Sequence, residues 1–219
     1  MRKMTDIPLF SGMNADEISA ALACLRTRKA AFKKGSVILS EGQIPEEMGV
    51  VLRGSVTMER LDSKGNKALV GYCRSGQVFA GAYAVLSEPL LIDVIAGEDC
   101  DIPFIHLGSL PDQDGAGWTM RFRHNLLRIA CEKNLELSVR CLHTFPKHIR
   151  ERVLSYLSAQ ARERRTNEFD IPLNRQQMAD YLNLDRSALS GELGRMRDDG
   201  LIDFHGRYFR LRTGGSEGR

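Results

Sequence analysis

The sequence lacks the features that would announce a membrane protein or an enzyme. No stretch approaches the ~20 apolar residues that a bilayer-spanning helix needs. The opening Met1-Arg2-Lys3-Met4-Thr5-Asp6 has no apolar run of signal-peptide length behind it. The expectation is a cytoplasmic protein with no membrane partner. The cysteines (Cys24, Cys73, Cys100, Cys131 and Cys141) are odd in number and scattered, and none has C-x-x-C spacing, so neither a zinc site nor a dithiol motif is signalled. The histidines (His106, His124, His143, His148 and His205) are dispersed, without H-x-H or H-E-x-x-H spacing, which argues against a metal-dependent β-barrel enzyme. There is no G-x-S-x-G elbow, P-loop or dinucleotide fingerprint. These absences point to a non-enzyme that uses no metal and no cofactor.

What is present is ordinary in amount and uneven in place. At 219 residues, 42% hydrophobic and 27% charged, the chain can hold one large domain or two modest ones, each with a real core. The net charge is +3. Residues 1–145 carry 17 Lys/Arg against 17 Asp/Glu, and residues 146–219 carry 14 against 11. The whole excess therefore sits at the C-terminal end, with the sign that phosphate contact requires.

The organising stretch runs from Phe169 to Leu211. Leu173 to Leu182 reads as a short helix with Met178, Ala179 and Leu182 on one side. After the Asn183-Leu184 turn, Asp185 is a natural N-cap whose carboxylate can accept the free amides of a second helix. In that helix Ala188, Leu189, Leu193 and Met196 repeat at helical spacing, and Gly200 ends it where a left-handed residue is wanted. Two helices about a short turn make a helix-turn-helix. Leu201–Phe204, the turn His205-Gly206 and Arg207–Leu211 add two short strands, a wing. Arg186, Ser187 and Ser190 fall on the non-core face within the first turn and a half, where a recognition helix meets base edges. Arg175 and Gln176 begin the preceding helix, placed to hold phosphate.

Before this stretch the pattern changes period twice. Asn14 and Glu17 form an N-cap and N3 pair ahead of Ile18, Ala21, Leu22 and Leu25 at helical spacing. From about Ala30, short β-rich runs (Phe32–Leu39, Gly49–Met58, Ala68–Cys73) are punctuated by glycines at 35, 42, 54, 65 and 76, as in an all-β roll or sandwich. After a turn at Pro111–Gly115 the helical period returns. Trp118 to Leu142 runs without proline or glycine. Phe122, Leu126 and Ile129 fall on one line, and Leu127, Ala130, Asn134, Leu137 and Cys141 on the neighbouring one. So broad an apolar stripe must be covered, either by the roll or by a second helix flanked by charges such as Arg123, Glu132, Lys133, Glu136 and Arg140. Thr144-Phe145-Pro146 ends it at a hinge, and Ile149 to Ala161 follows as a further helix with Val153, Leu154 and Leu157 inward.

The segment Leu173-Asn174-Arg175-Gln176-Gln177-Met178-Ala179-Asp180-Tyr181-Leu182, followed by Leu184-Asp185-Arg186-Ser187-Ala188-Leu189-Ser190, resembles the DNA-binding domain of the Crp/Fnr superfamily of bacterial transcription regulators. The glycine ladder resembles that superfamily's cyclic-nucleotide-binding-like β-roll. The resemblance covers roughly residues 10–213. It implies an α+β protein: a β-roll of the double-stranded β-helix or jelly-roll type with an N-terminal helix (1–112), a long dimerisation helix (113–145), a winged helix-turn-helix (146–213) and a disordered tail (214–219). It implies base contacts at Arg186, Ser187, Ser190 and Gly191, the last often arginine in relatives. Around these, Arg175, Gln176, Asp185 and Arg207 complete the expected DNA-facing set. The dimer helix would use Phe122, Leu126, Leu127, Ile129, Asn134 and Leu137. The implied partners are double-stranded DNA with a pseudo-palindromic operator, a second copy of the chain and an unknown small-molecule effector, with room for RNA polymerase.

In nucleotide-binding relatives the roll holds a glutamate for the ribose and an Arg-Ser or Arg-Ala pair for the cyclic phosphate, because a buried phosphate needs a guanidinium fork and amide donors to offset its desolvation. Here the glutamate position falls on Gly81 or Ala82, the phosphate pair on about Leu90-Leu91, and no arginine lies between Arg74 and Arg121. The chain therefore reads as a branch without the cyclic-nucleotide phosphate site. An iron–sulfur cluster lacks its cysteines, and a haem at Cys73 lacks a neighbouring histidine. Cys73 and Cys100 read as small core residues. Phe79, Tyr83, Leu90 and Leu91 either line a pocket for an apolar or aromatic molecule or simply fill the roll. The alternative to a DNA-binding regulator is a ligand-binding or redox-sensing module acting through protein–protein contacts.

Overall fold

The computed structural model describes residues 3–61, 67–111 and 117–212. The expected turn around Gly65, most of the turn at 111–115 and the expected tail at 214–219 lie outside them. The chain divides into two compact units between Cys131 and Glu132, inside the long helix rather than at either of its ends.

The first unit opens with two 3-10 turns, Met4–Asp6 and Pro8–Phe10, and helix α1, Ala15–Cys24. The capping box forms as expected: the Glu17 amide donates to Asn14 Oδ1 at 2.9 Å, and the Asn14 amide to Glu17 Oε2 at 3.0 Å. Strands β1 (Arg28–Phe32), β2 (Val37–Leu39), β3 (Glu47–Val50), β4 (Ser55–Leu61), β5 (Lys67–Arg74) and β6 (Val78–Phe79) follow. A short helix α2 (Gly81–Leu86) precedes β7 (Asp93–Ala96) and β8 (Cys100–His106). They build two four-stranded antiparallel sheets, ordered β1-β8-β3-β6 and β2-β7-β4-β5. The run Gly49–Met58, continuous to the eye, is cut at Gly54. That residue sits at φ +82°, and a Cβ there would lie 2.5 Å from the Asp99 carbonyl oxygen.

The middle of β8, Ile102-Pro103-Phe104-Ile105, is buried on both faces, which is why that stretch carries no polar residue. Ile102 and Phe104 face the roll interior with Val56, Leu90 and Val94. Ile105 on the other face meets Met48, Leu9 and Phe10. Against this outer face packs the start of helix α3 (Gly117–Thr144), through Trp118 and Phe122. Asn125 reinforces the contact by donating from Nδ2 to the carbonyls of Leu9 and Ser11, at 3.1 and 2.8 Å. This corrects the assignment of Phe122, Leu126 and Ile129 to the dimer face. Phe122 is wholly buried in its own unit, and Leu126 and Ile129 pack partly against the same core. The neighbouring line, with Leu127, Asn134 and Leu137, is exposed.

The second unit contains the end of α3, then α4 (Ile149–Arg164), β9 (Glu168–Asp170), α5 (Arg175–Leu182), α6 (Arg186–Asp198), β10 (Ile202–His205) and β11 (Tyr208–Leu211). Its core joins Val153 and Leu157 of α4 to Met178, Leu193 and Phe209. The wing hairpin gains a third strand, in the order β10-β11-β9. That third strand, Glu-Phe-Asp, is too short to show a period and exists because Phe169 pairs opposite Phe209.

Truncating Phe122 to Ala removes a fully buried ring between α3 and the outer sheet face. It is expected to lower the stability of the first unit by about 3–5 kcal/mol, read as a shift in the urea midpoint at fixed protein concentration.

Candidate nucleic-acid interface

Helix α5 begins two residues later than its sequence suggests. Asn174, not the residue before Leu173, is the cap. Its side chain accepts from the Gln177 amide at 2.9 Å and its amide donates to Gln177 Oε1 at 2.9 Å, a second capping box. Leu173 is left outside the helix, against the core. Asn183, at φ +54°, turns the chain back. Asp185 occupies the N-cap of α6, but the expected carboxylate cap is absent. Its backbone carbonyl accepts from the Leu189 amide at 2.9 Å, and its side chain takes no amide of the first turn. The backbone turn alone sets the start of this helix.

Leu189, Leu193 and Met196 sink one face of α6 into the core, and Arg186, Ser187, Ser190 and Gly191 remain exposed on the other. Gly191 sits mid-helix, and a Cβ there would find nothing nearer than Arg195 Nη1 at 4.0 Å. Gln176 is engaged within its own helix, donating to Asp180 Oδ1 at 2.8 Å. Arg207 lies exposed at the wing turn, where its carbonyl accepts from the Ile171 amide at 2.9 Å. Arg175 is half-buried, with its guanidinium over the rings of Phe204 and Phe209.

Several arginines of this unit are tied to acidic side chains. Arg150 reaches Glu192 and Asp199, both at 2.7 Å; Arg195 reaches Glu192 at 2.6 Å; Arg210 reaches Glu168 at 2.8 Å. The two guanidiniums, Arg150 first, hold the Glu192 carboxyl below its ordinary range, as Tyr208 and then Arg210 do for Glu168. Among the described residues, no acidic side chain pairs with Arg175, Arg186 or Arg207. These three keep their positive charge for an outside anion.

A further pair of arginines holds the end of α5. Arg140, on α3, donates to the carbonyls of Tyr181 at 2.9 Å and Asp180 at 2.7 Å. Arg152, on α4, donates to those of Leu182 and Asn183, both at 3.3 Å, and of Pro146 at 2.7 Å. Beside them His143 packs against Tyr156 and Tyr181 and shares a hydrogen bond with Ser155 Oγ at 2.9 Å. Burial, and secondarily Arg162, depress the His143 imidazole below its ordinary value.

In the first unit, the residues expected to line an effector pocket separate. Phe79 and Leu90 fill the roll; the Phe79 ring lies where a Cβ on Gly49 would stand, 2.1 Å away. Gly81 begins α2 against Met48, whose sulfur would be 2.9 Å from a Cβ. Ala82, Tyr83 and Leu91 instead border an open surface depression of ≈ 260 Å³ with Leu86, Glu88 and Pro89. Among the described residues no helix is long and apolar enough to cross a membrane.

The profile of the Crp-like helix-turn-helix domain matches residues 151–213, and that of the cyclic nucleotide-binding domain matches residues 29–111. The chain belongs to the Crp/Fnr superfamily. Electron transport regulator A of Shewanella oneidensis is 24% identical over 203 residues, spanning 90% of this chain and 79% of that protein. Nitrogen fixation regulation protein FixK of Azorhizobium caulinodans is 28% identical over 204 residues, 87% and 78% of the two chains. FixK2 from Bradyrhizobium japonicum shares the fold at 22% identity and a TM-score of 0.53, over 85% of this chain and 93% of that one.

As a Crp/Fnr-type transcriptional regulator with a helix-turn-helix DNA-binding domain, this chain departs from the domain name of its roll. Its residues do not fit a cyclic nucleotide. Gly81 is closed by Met48, Leu90 is buried, and the segment from Ser75 to Met120 carries no arginine or lysine for the phosphate. Sequence reasoning missed Arg152 and Glu192, and placed Arg140 on the flank of a helix pair rather than at the end of α5. Arginine at the end of one helix and glutamate within another carry no local signal of the carbonyls or guanidinium they meet.

Two measurements follow from this geometry. Replacing Gly191 by Ala removes a glycine from an exposed helix interior and is expected to raise stability by about 1 kcal/mol, seen as a higher thermal midpoint. The folded His143 imidazole is harder to protonate than the free side chain, because of burial and then Arg162, whereas the unfolded one protonates near ~6.5. Its stabilisation is complete above that value and declines as pH falls below it. The urea midpoint of the second unit should drop between pH 7.5 and 5.5, with a shallower drop in His143→Gln.

Proposed function

We propose that the chain is a homodimeric, sequence-specific DNA-binding regulator whose two recognition helices, α6 and its twin, enter successive major grooves of a pseudo-palindromic operator. The observation that carries this reading is the exposed face of α6. Arg186, Ser187 and Ser190 stand together over the first turns, with Arg186 unneutralised by any acidic side chain among the described residues. A guanidinium in that position can make the bidentate contact to guanine that specifies sequence.

The second copy is supported by α3. Leu127, Asn134 and Cys141 recur at seven-residue spacing, as do Ala130 and Leu137, and all are exposed. Leu127 and Leu137 are 63% and 49% exposed, too much apolar surface on one line to be left in water. A paired helix would hold the reading heads at the ~34 Å separation of half-sites one DNA turn apart. Control by an unidentified signal acting on the roll, other than cyclic AMP, would act by shifting the population of that spacing. The depression beside Tyr83 and Leu91 is the candidate seat, and RNA polymerase a candidate further partner. The cytoplasm, where such operators are, is the proposed location.

Arg186→Ala is expected to cost about 1–3 kcal/mol at a selected operator and to relax base preference there, measured by fluorescence anisotropy on operator and random duplexes. An equal loss on both makes Arg186 a phosphate contact only. Sedimentation as a single subunit at high concentration would remove the dimer, and binding without salt dependence would turn the reading towards a protein partner.

A further inference from the structure

The wing carries an aromatic pair that core packing alone does not explain. Phe204 and Phe209 stack with centroids 5.8 Å apart and planes 24° from parallel. Phe209 is wholly buried, but Phe204 is half-buried and serves two cations. The Arg175 guanidinium lies 5.1 Å from its centroid, and that of Arg197 lies 5.5 Å from it. Arg175 opens α5, and Arg197 is the penultimate residue of α6.

Neither cation is neutralised as its neighbours are. Among the described residues, Arg175 has a 4.0 Å contact to the Met178 sulfur besides the rings and no acidic partner. Arg197 has its chain neighbour Asp198 at 3.9 Å, the outer limit of an ion pair. Burial, then the charge of Arg186, destabilise the protonated Arg175 relative to a free guanidinium. Two like charges thus share one ring, at the cost of some repulsion and desolvation that an arriving anion would relieve. Stacking also freezes long side chains that would otherwise lose rotamer freedom on binding, while their N–H groups are held only by the long contacts to Met178 and Asp198.

We propose that Phe204 is a positioning residue for DNA binding, a platform whose ring holds Arg175 and Arg197 ready for two backbone phosphates beside the recognition helix. The inference rests on the DNA-binding reading above. It assigns sequence-independent affinity to the wing base, separate from the base-reading face of α6. Phosphate contacts position a protein on the duplex without reading it. Damage to the platform should therefore weaken operator and random duplex alike.

The test is a thermodynamic cycle on the full-length protein, with duplex affinity measured against salt. Arg175→Gln and Arg197→Gln should each flatten the log–log salt slope by about one. Phe204→Leu, which keeps apolar bulk but removes the π face, should weaken both duplexes by about three- to tenfold, and Phe204→Tyr should restore binding. In the Arg175→Gln/Arg197→Gln background, Phe204→Leu should change affinity no further. If Phe204→Leu costs as much there as in the native protein, its role is structural and the platform is refuted. Unchanged binding by Phe204→Leu in the native background refutes it too. If the native protein binds no duplex, the DNA-binding reading falls and takes the inference with it.

Discussion

An eight-residue helix cannot hold itself in water, because so few turns do not repay the cost of nucleation. Helix α5 is that short, and the position of the recognition helix depends on it. Its start is closed by the reciprocal bonds of Asn174 and Gln177. Its end would leave carbonyls unpartnered. Arg140 and Arg152 supply charge-assisted donors to four consecutive carbonyls there, where cations also meet the negative end of the helix dipole. Buried apolar contacts through Met178, Ala179 and Leu182 complete the fastening. The helix-turn-helix is thus held by guanidiniums from helices outside the motif.

The division of labour among arginines gives the unit its chemistry. Those that reach Glu192, Asp199 and Glu168 are internal struts whose charge is cancelled where it stands. Arg175, Arg186 and Arg207 are left uncancelled on the side where α5, α6 and the wing converge. A net excess of three charges says little. What phosphate recognition draws on is localised charge, and among the described residues these three arginines have no acidic partner.

The roll shows the opposite economy. Its interior is packed by the side chains that could have lined a ligand site. The Phe79 ring occupies the space that only a glycine at 49 leaves open, and Leu90 closes the region where relatives place a phosphate-binding pair. These side chains pack against one another at the density of a solid, and an open surface hollow lies beside α2. The roll keeps the family's architecture without the charged groups that define its nucleotide-binding members.

Much of this was legible in the chain. The Asn14-x-x-Glu17 box marked a helix start, period-3.6 residues such as Leu189, Leu193 and Met196 marked a buried face, and no arginine was found where relatives place the one for a cyclic phosphate. Each is a local pattern, so the sequence determined it unaided: capping and periodicity are properties of neighbours along the backbone. Which of the two apolar lines on α3 meets the roll was not legible, since Phe122 and Leu127 look alike until a sheet face is brought against one. Nor was the absence of a carboxylate cap at Asp185, the third wing strand, or the use made of Arg140 and Glu192. Those depend on groups separated by tens of residues, and only the tertiary structure decided them, because a charge or a ring acquires its role from what the fold sets beside it.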